Sequence, residues 1–232
     1  MLKRIYLLLS LCSLLASCVP HHAPPVTALQ LQPPADFPMA YYRQAQAAGG
    51  PILQIESKLS LLTVTVRRGG VLAKLGHDHI VASHAIAGYV DTAAKRADLY
   101  LPLDQLSVDE AALRAAAGFD TQPSAEAIAG TKRNMLSKVL EAASFPYALI
   151  HITTDHANLN VAITLHGATH SYTVPAQLES TADRLEASGQ LSIKQSDFGI
   201  TPYAILGGAL QVEDRVELQF KIIATRTLNP KS

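Results

Sequence analysis

Strict alternation of apolar and polar residues recurs along most of the second half of this chain and decides what it can fold into. In the last such run Val216, Leu218, Phe220 and Ile222 share one parity, and Arg215, Glu217, Gln219 and Lys221 take the other. A period of two places the sets on opposite faces of a strand. The pattern returns at Leu99/Leu101/Leu103, Ile150/Ile152, Leu159/Val161/Ile163/Leu165, Tyr172/Val174/Ala176/Leu178 and from Leu185 to Ile193. Many short strands with one dry face each predict an all-β sandwich or barrel. Whether the dry side is only a core or also a container is the question for function.

The N-terminus reads as targeting rather than fold. Lys3 and Arg4 precede an apolar run from Ile5 to Leu15, too short to span a bilayer as a stable helix, which ends in Leu15-Ala16-Ser17-Cys18. Small residues before a cysteine resemble the lipobox of bacterial lipoproteins. That resemblance implies a signal peptide over residues 1–17 and a diacylglycerol-modified Cys18. Cys12 leaves with the leader, so Cys18 is the only thiol of the mature chain and no internal disulfide can form. Val19 in place of Asp suits outer-membrane sorting in a Gram-negative envelope. Residues 19–50 hold Pro20, Pro24, Pro25, Pro33, Pro34 and Pro38 and end in Ala47-Ala48-Gly49-Gly50, the composition of an extended tether. The expected division is therefore leader 1–17, lipidated cysteine and tether 18–50, and a folded domain over 51–228.

Charge excludes one partner class. The chain has 19 basic and 19 acidic residues, and without Lys3 and Arg4 the balance is 17 against 19. With no Trp and 6% aromatics, it has neither the electrostatic footprint nor the stacking platform of a nucleic-acid binder.

Within the domain, Leu53–Val66, Val81–Asp91 and Arg96–Leu103 read as strands. Over about 124–143 the period changes. Ser124 is placed to cap a helix, Ile128, Met135, Val139 and Ala143 follow at helical spacing, and Pro146 ends it. This insertion would cap one end of the sheet. Four further strands follow, broken at His166-Gly167, at Ala182-Asp183 and by a long turn at Ser196–Gly208. That turn carries apolar Tyr203, Ile205, Leu206 and, just beyond, Leu210, which could form a lid or plug the core. About eight strands result.

Two motifs then resemble a known family. Leu165-His166-Gly167-Ala168-Thr169 is similar to a strand–turn of the YceI-like family, and Ser196-Asp197-Phe198-Gly199-Ile200 is similar to that family's turn before its last strand. One hairpin separates them, as in the family; Gly88 and Phe145-Pro146 also fit. The resemblance covers roughly residues 55–226. It implies an eight-stranded antiparallel, lipocalin-like barrel whose apolar cavity holds a polyisoprenoid or another amphiphilic lipid. An eight-stranded interior can be filled by side chains or can hold one slender ligand. Gly76-His77-Asp78-His79 and Gly130–Leu136 depart from the common pattern and mark a histidine-rich branch.

The candidate site follows. Leu99, Leu101, Val161, Ile163, Val174, Leu218 and Phe220 would line the cavity. His77, Asp78, His79 and Asp197, with Arg133 as an anion partner, would supply polar groups at its mouth. On a strand His77 and His79 share a face, so a metal- or haem-binding redox role for these two is the alternative; a hydrogen-bonded turn is the bland reading. His166 reads as a turn residue packing on a neighbour, and no role is assigned to His21, His22, His151, His156 or His170. Asp104, Asp109 and Glu110 read as solvated carboxylates at a strand end. Asp197-Phe198-Gly199 also matches the kinase metal-binding triplet, but no Gly-rich phosphate loop precedes it. With no GxSxG elbow and no HExxH helix either, the expectation is a lipid-binding protein rather than an enzyme, without cofactor, anchored in the bacterial envelope. A barrel filled by its own side chains stays open as a third reading.

Overall fold

The computed structural model describes residues 31–154 and 158–226. The leader, Cys18, His21, His22 and His156 lie outside the described residues. Eight strands form a closed antiparallel barrel in simple meander order. They are β1 (Ile52–Ile55 and Leu61–Val66), β2 (His79–Ser83 and Ala87–Asp91), β3 (Arg96–Pro102 and Ser107–Val108), β4 (Tyr147–Thr154), β5 (Asn158–Leu165), β6 (Ala168–Ser180), β7 (Arg184–Lys194) and β8 (Arg215–Thr225). Each pairs with the next in the chain, and β8 closes the ring on both segments of β1, with Leu218 opposite Val64 and Gln54 opposite Thr225. Closure removes the free edges that an open sheet would expose.

Strands β1, β2 and β3 are interrupted at corresponding heights, by a 3₁₀ turn at Ser57–Leu59, by residues 84–86 and by a 3₁₀ turn at Leu103–Gln105. Such breaks bend long strands so that the ring can close. Gly88 sits beside one of them, with φ 149°, and a Cβ there would stand 2.1 Å from the Asp98 carbonyl oxygen. The β5–β6 hairpin turns through His166 (φ 52°) and Gly167 (φ 78°), with Leu165 paired to Ala168. Two successive positive φ values define the two-residue turn whose twist matches a hairpin.

The insertion between β3 and β4 holds α2 (Ala111–Ala117), which the alternation did not foreshadow, and α3 (Ala125–Asn134). The Ser124 hydroxyl accepts the Ala127 N–H at 3.2 Å, as a capping residue should. The last turn, Met135–Val139, widens to a π-helix in which the Leu140 N–H donates to Met135. That extra residue shifts the apolar face by one position. Met135, Val139 and Leu140 stay on the barrel, whereas Ala143 is exposed.

The folded unit also begins earlier than residue 51. Instead of an extended tether throughout, residues 39–47 form α1 (Met39–Ala47), and the compact unit starts at Leu31. Aromatic side chains explain the difference. Phe37 meets Tyr100 edge-on at 4.9 Å, and Tyr42, 1% exposed, donates its hydroxyl to Asp98 at 2.6 Å. Tyr41 donates to Asp91, and the Tyr100 hydroxyl donates to the Leu31 carbonyl. Prolines punctuate the segment, but three aromatic rings decide its fate.

Two substitutions test this architecture by thermal melting. Gly88→Ala should cost about 2–4 kcal/mol through backbone strain and overpacking, and Tyr42→Ala about 3–5 kcal/mol if α1 is an integral part of the fold.

Candidate functional site: a two-chambered apolar cavity

The inward parity of the strands does not fill the barrel. Two cavities occupy it, of about 240 Å³ and about 400 Å³. Leu62, Leu101, Ile150, Ile163 and Leu218 line both, forming a shared waist. All seven cavity residues expected from the alternation line the smaller chamber. The smaller chamber ends at Asp91, Thr92, Lys95, Arg96, Thr154 and Ser180, which are strand-end residues at one rim of the barrel. The larger chamber occupies the other end. Met135, Val139 and Leu140 of the helical insertion wall one side, and Tyr203, Ile205 and Leu210 cover another. The long turn is thus a lid over the chamber, built as a small sheet in which Ala204–Ile205 pairs with Leu210–Val212 and the latter with Arg68–Gly69.

The larger chamber carries a second set of polar groups. His77 and His79 both line it, with ring centroids 6.3 Å apart, beside Arg68, Asn134, Gln195 and Gln211. The His77 Nδ1 is buried and has no hydrogen-bond partner. The His79 Nδ1 lies 2.6 Å from Asp109 Oδ2, leaving only Nε2 to serve a ligand. Asp109 in turn accepts from Arg114 at 2.7 Å and from the Ile80 N–H at 3.0 Å. Arg114, 3% exposed, donates as well to the carbonyls of Asp78 and Thr121, and its guanidinium stacks 4.9 Å from the centre of the Phe119 ring. A buried His–Asp–Arg chain therefore fixes one imidazole in the chamber wall. Burial alone would raise the Asp109 carboxyl; the hydrogen bonds from His79, Ile80 and Arg114 outweigh it and hold the group below the usual carboxylate range.

The remaining expected mouth residues part company. Asp78 turns away from the chamber to Arg67 at 3.0 Å and to the Arg68 N–H at 3.0 Å, where it stabilises the chain entering β2. Arg133 is exposed and does not line either chamber; neither does Asp197, which sits in the 3₁₀ turn Gln195–Phe198. Asp109 corrects the reading of a solvated carboxylate, since its side chain is fully buried. It and Arg114 were the residues that sequence reasoning missed, and the only local signal was an Arg in an otherwise Ala-rich segment. Among the described residues no group of three or more His, Cys, Asp or Glu side chains could hold a metal ion. His84, the one further imidazole near the pair in sequence, is exposed and bound to Glu110. His166 packs on Phe145 at 4.4 Å as a turn residue, and His151 accompanies Asp98 on the outer face.

Fold and site together define a hollow up-and-down barrel of lipocalin-like type, with an apolar interior and polar groups at both ends. Residues 75–224 match the YceI-like domain, and the chain belongs to that family. Its fold is shared by a polyisoprenoid-binding domain from Saccharophagus degradans implicated in plant cell wall breakdown. The likeness to that domain has a TM-score of 0.56 and 13% identity, and covers 76% of this chain and 98% of that one. It is shared also by BcnA of Burkholderia cenocepacia, with a TM-score of 0.50 and 15% identity over 74% and 99% of the two chains. No curated protein matches the sequence.

Asp109→Asn keeps the volume but leaves Arg114 as a buried, uncompensated charge, and should cost about 3–5 kcal/mol in urea unfolding. The same network sets an acid limit. Asp78, Asp98 and Asp109 are all held below the ordinary carboxylate range. Their contribution is fully present above about pH 4 and is lost as pH falls through the lower folded-state values. Urea midpoints should drop steeply in that window, and less steeply in Asp109→Asn.

Proposed function

We propose that this protein binds the hydrocarbon chain of an amphiphilic lipid, a polyisoprenoid or quinone-like molecule, inside the barrel and carries or sequesters it without catalysis. The observation that supports this best is the pair of apolar chambers meeting at one waist. A chain threaded through Leu62, Leu101, Ile150, Ile163 and Leu218 would occupy both, with its polar end near His77 and His79. Transfer of apolar surface from water gains about 25 cal/mol per Å². Several hundred Å² would therefore give several kcal/mol before association costs. The larger chamber, about 400 Å³, falls in the range of small-molecule sites, and a polyisoprenoid is what the similar Saccharophagus domain is described as binding. Selectivity would come from the unpartnered His77 Nδ1 and the His79 Nε2, which could hydrogen-bond a hydroxyl or carbonyl headgroup. The lipobox-like Leu15–Cys18 supports an acyl anchor on Cys18, which would hold the barrel at the envelope, on the outer membrane facing the periplasm.

Narrowing the waist tests this reading. Ile163 lines both chambers and is 6% exposed. Ile163→Phe in delipidated protein should lower uptake of a polyprenyl alcohol by about tenfold or more while the melting temperature holds or rises. Unchanged uptake in a folded variant contradicts the binding mode.

A further inference from the structure

We propose that the rim of the larger chamber is a docking surface for an anionic lipid bilayer, through which the cavity exchanges its ligand; this rests on the lipid-binding reading above. Five of the seven large hydrophobic side chains exposed among the described residues lie in two neighbouring segments at this rim: Val71 (91% exposed), Leu72, Leu75 (71%), Ile205 and Leu206 (70%). The Leu72 N–H donates to the Ala209 carbonyl at 2.8 Å, which ties the two segments together. Leu75 and Ile205 also line the chamber, so the exposed patch runs continuously into the dry interior.

Folding does not account for this display. Leu206 holds φ 52°, a conformation costly for a branched apolar residue, and shows most of its side chain to water. A contiguous exposed apolar patch marks an interaction site. Charge selects the partner. Residues 67–76 and 203–212 contain Arg67, Arg68 and Lys74 and no acidic residue; Arg67 is paired with Asp78 and Arg68 with Asp120, so Lys74 is the cation these segments offer to a partner. Exposed Lys74 lies between Leu72 and Leu75, and the Lys138 ammonium stands 5.8 Å from the centre of the Tyr203 ring on the opposite wall. Apolar tips with interspersed lysines suit the interface of an anionic membrane, where the tips enter the acyl boundary and the cations meet phosphates.

The chain has no Trp, so a single Trp reports from one place. In the full chain carrying Leu206→Trp, vesicles of phosphatidylcholine with phosphatidylglycerol should shift the emission to the blue, and phosphatidylcholine alone should do so far less. Ala182→Trp, in an exposed turn of the β6–β7 hairpin, should stay unshifted, which separates rim docking from attachment through the N-terminal segment. Lys74→Gln should weaken binding about fivefold, and Val71→Asp about tenfold or more, with melting temperatures in place. No shift of Leu206→Trp on anionic vesicles, in protein that still takes up lipid, overturns the docking and leaves the binding function standing. A shift that instead grows with protein concentration and without vesicles assigns the patch to a second copy and also overturns it. Docking by a protein whose cavity takes up no lipid upholds the surface and removes the carrier function.

Discussion

The closing pairing of β8 with β7 on one side and β1 on the other governs the rest of the molecule. Once the ring closes, every second residue of eight strands must point inward, and no later choice can return it to solvent. Val161, Ile163, Val174, Leu218 and their neighbours pack along the wall yet leave a chamber of about 240 Å³ between them. Left empty, the larger chamber of about 400 Å³ leaves its apolar lining without contact partners on one side. A hydrocarbon occupant recovers that contact, which links the fold to its proposed use in a single step.

The ends of the barrel solve the opposite problem, since polar groups must be admitted without flooding the interior. At the larger chamber a buried Asp109–Arg114 pair holds His79 by one nitrogen, and His77 keeps a buried nitrogen unpartnered. On the outer face Asp98 plays a structural counterpart, gathering Tyr42, Arg96 and His151 and seating α1 against the wall. Burial and the Asp98 contact push the Tyr42 hydroxyl pKa upward, and burial pushes that of Tyr100 up to about 12. The two networks use the same chemistry for different ends: one orients a ring towards the cavity and the other fastens an added segment.

The barrel was legible because alternation is a statement about faces, and closure preserves faces. Leu99, Leu101, Val161, Ile163, Val174, Leu218 and Phe220 needed only their parity to be placed in the wall. Whether that wall encloses space depends on distances across the ring, which parity does not carry. The mouth was harder. His77 and His79 lie in the larger chamber's wall, yet Asp78 between them, Arg133 and Asp197 lie elsewhere, because turn geometry rather than period sets their directions. Asp109 and Arg114 are partners five residues apart across a chain reversal that begins with Asp109 itself at φ 57°. The tether reading of residues 31–50 failed on Phe37, Tyr41 and Tyr42, whose burial outweighs the prolines around them.

Taken together, the hollow barrel, its polar rims and the exposed apolar patch are what the proposed lipid-binding role requires, and the lipobox-like leader supports the proposed place at the envelope. The central claim is occupancy of the barrel. Native mass spectrometry of the full chain, gently purified from bacterial membranes and then extracted with organic solvent, tests it most directly. The account predicts a bound species with the mass of a prenyl or quinone-like lipid in one-to-one ratio, released on extraction and regained on incubation with that lipid. A barrel that carries no lipid from membranes and regains none when offered prenyl or acyl lipids would contradict it.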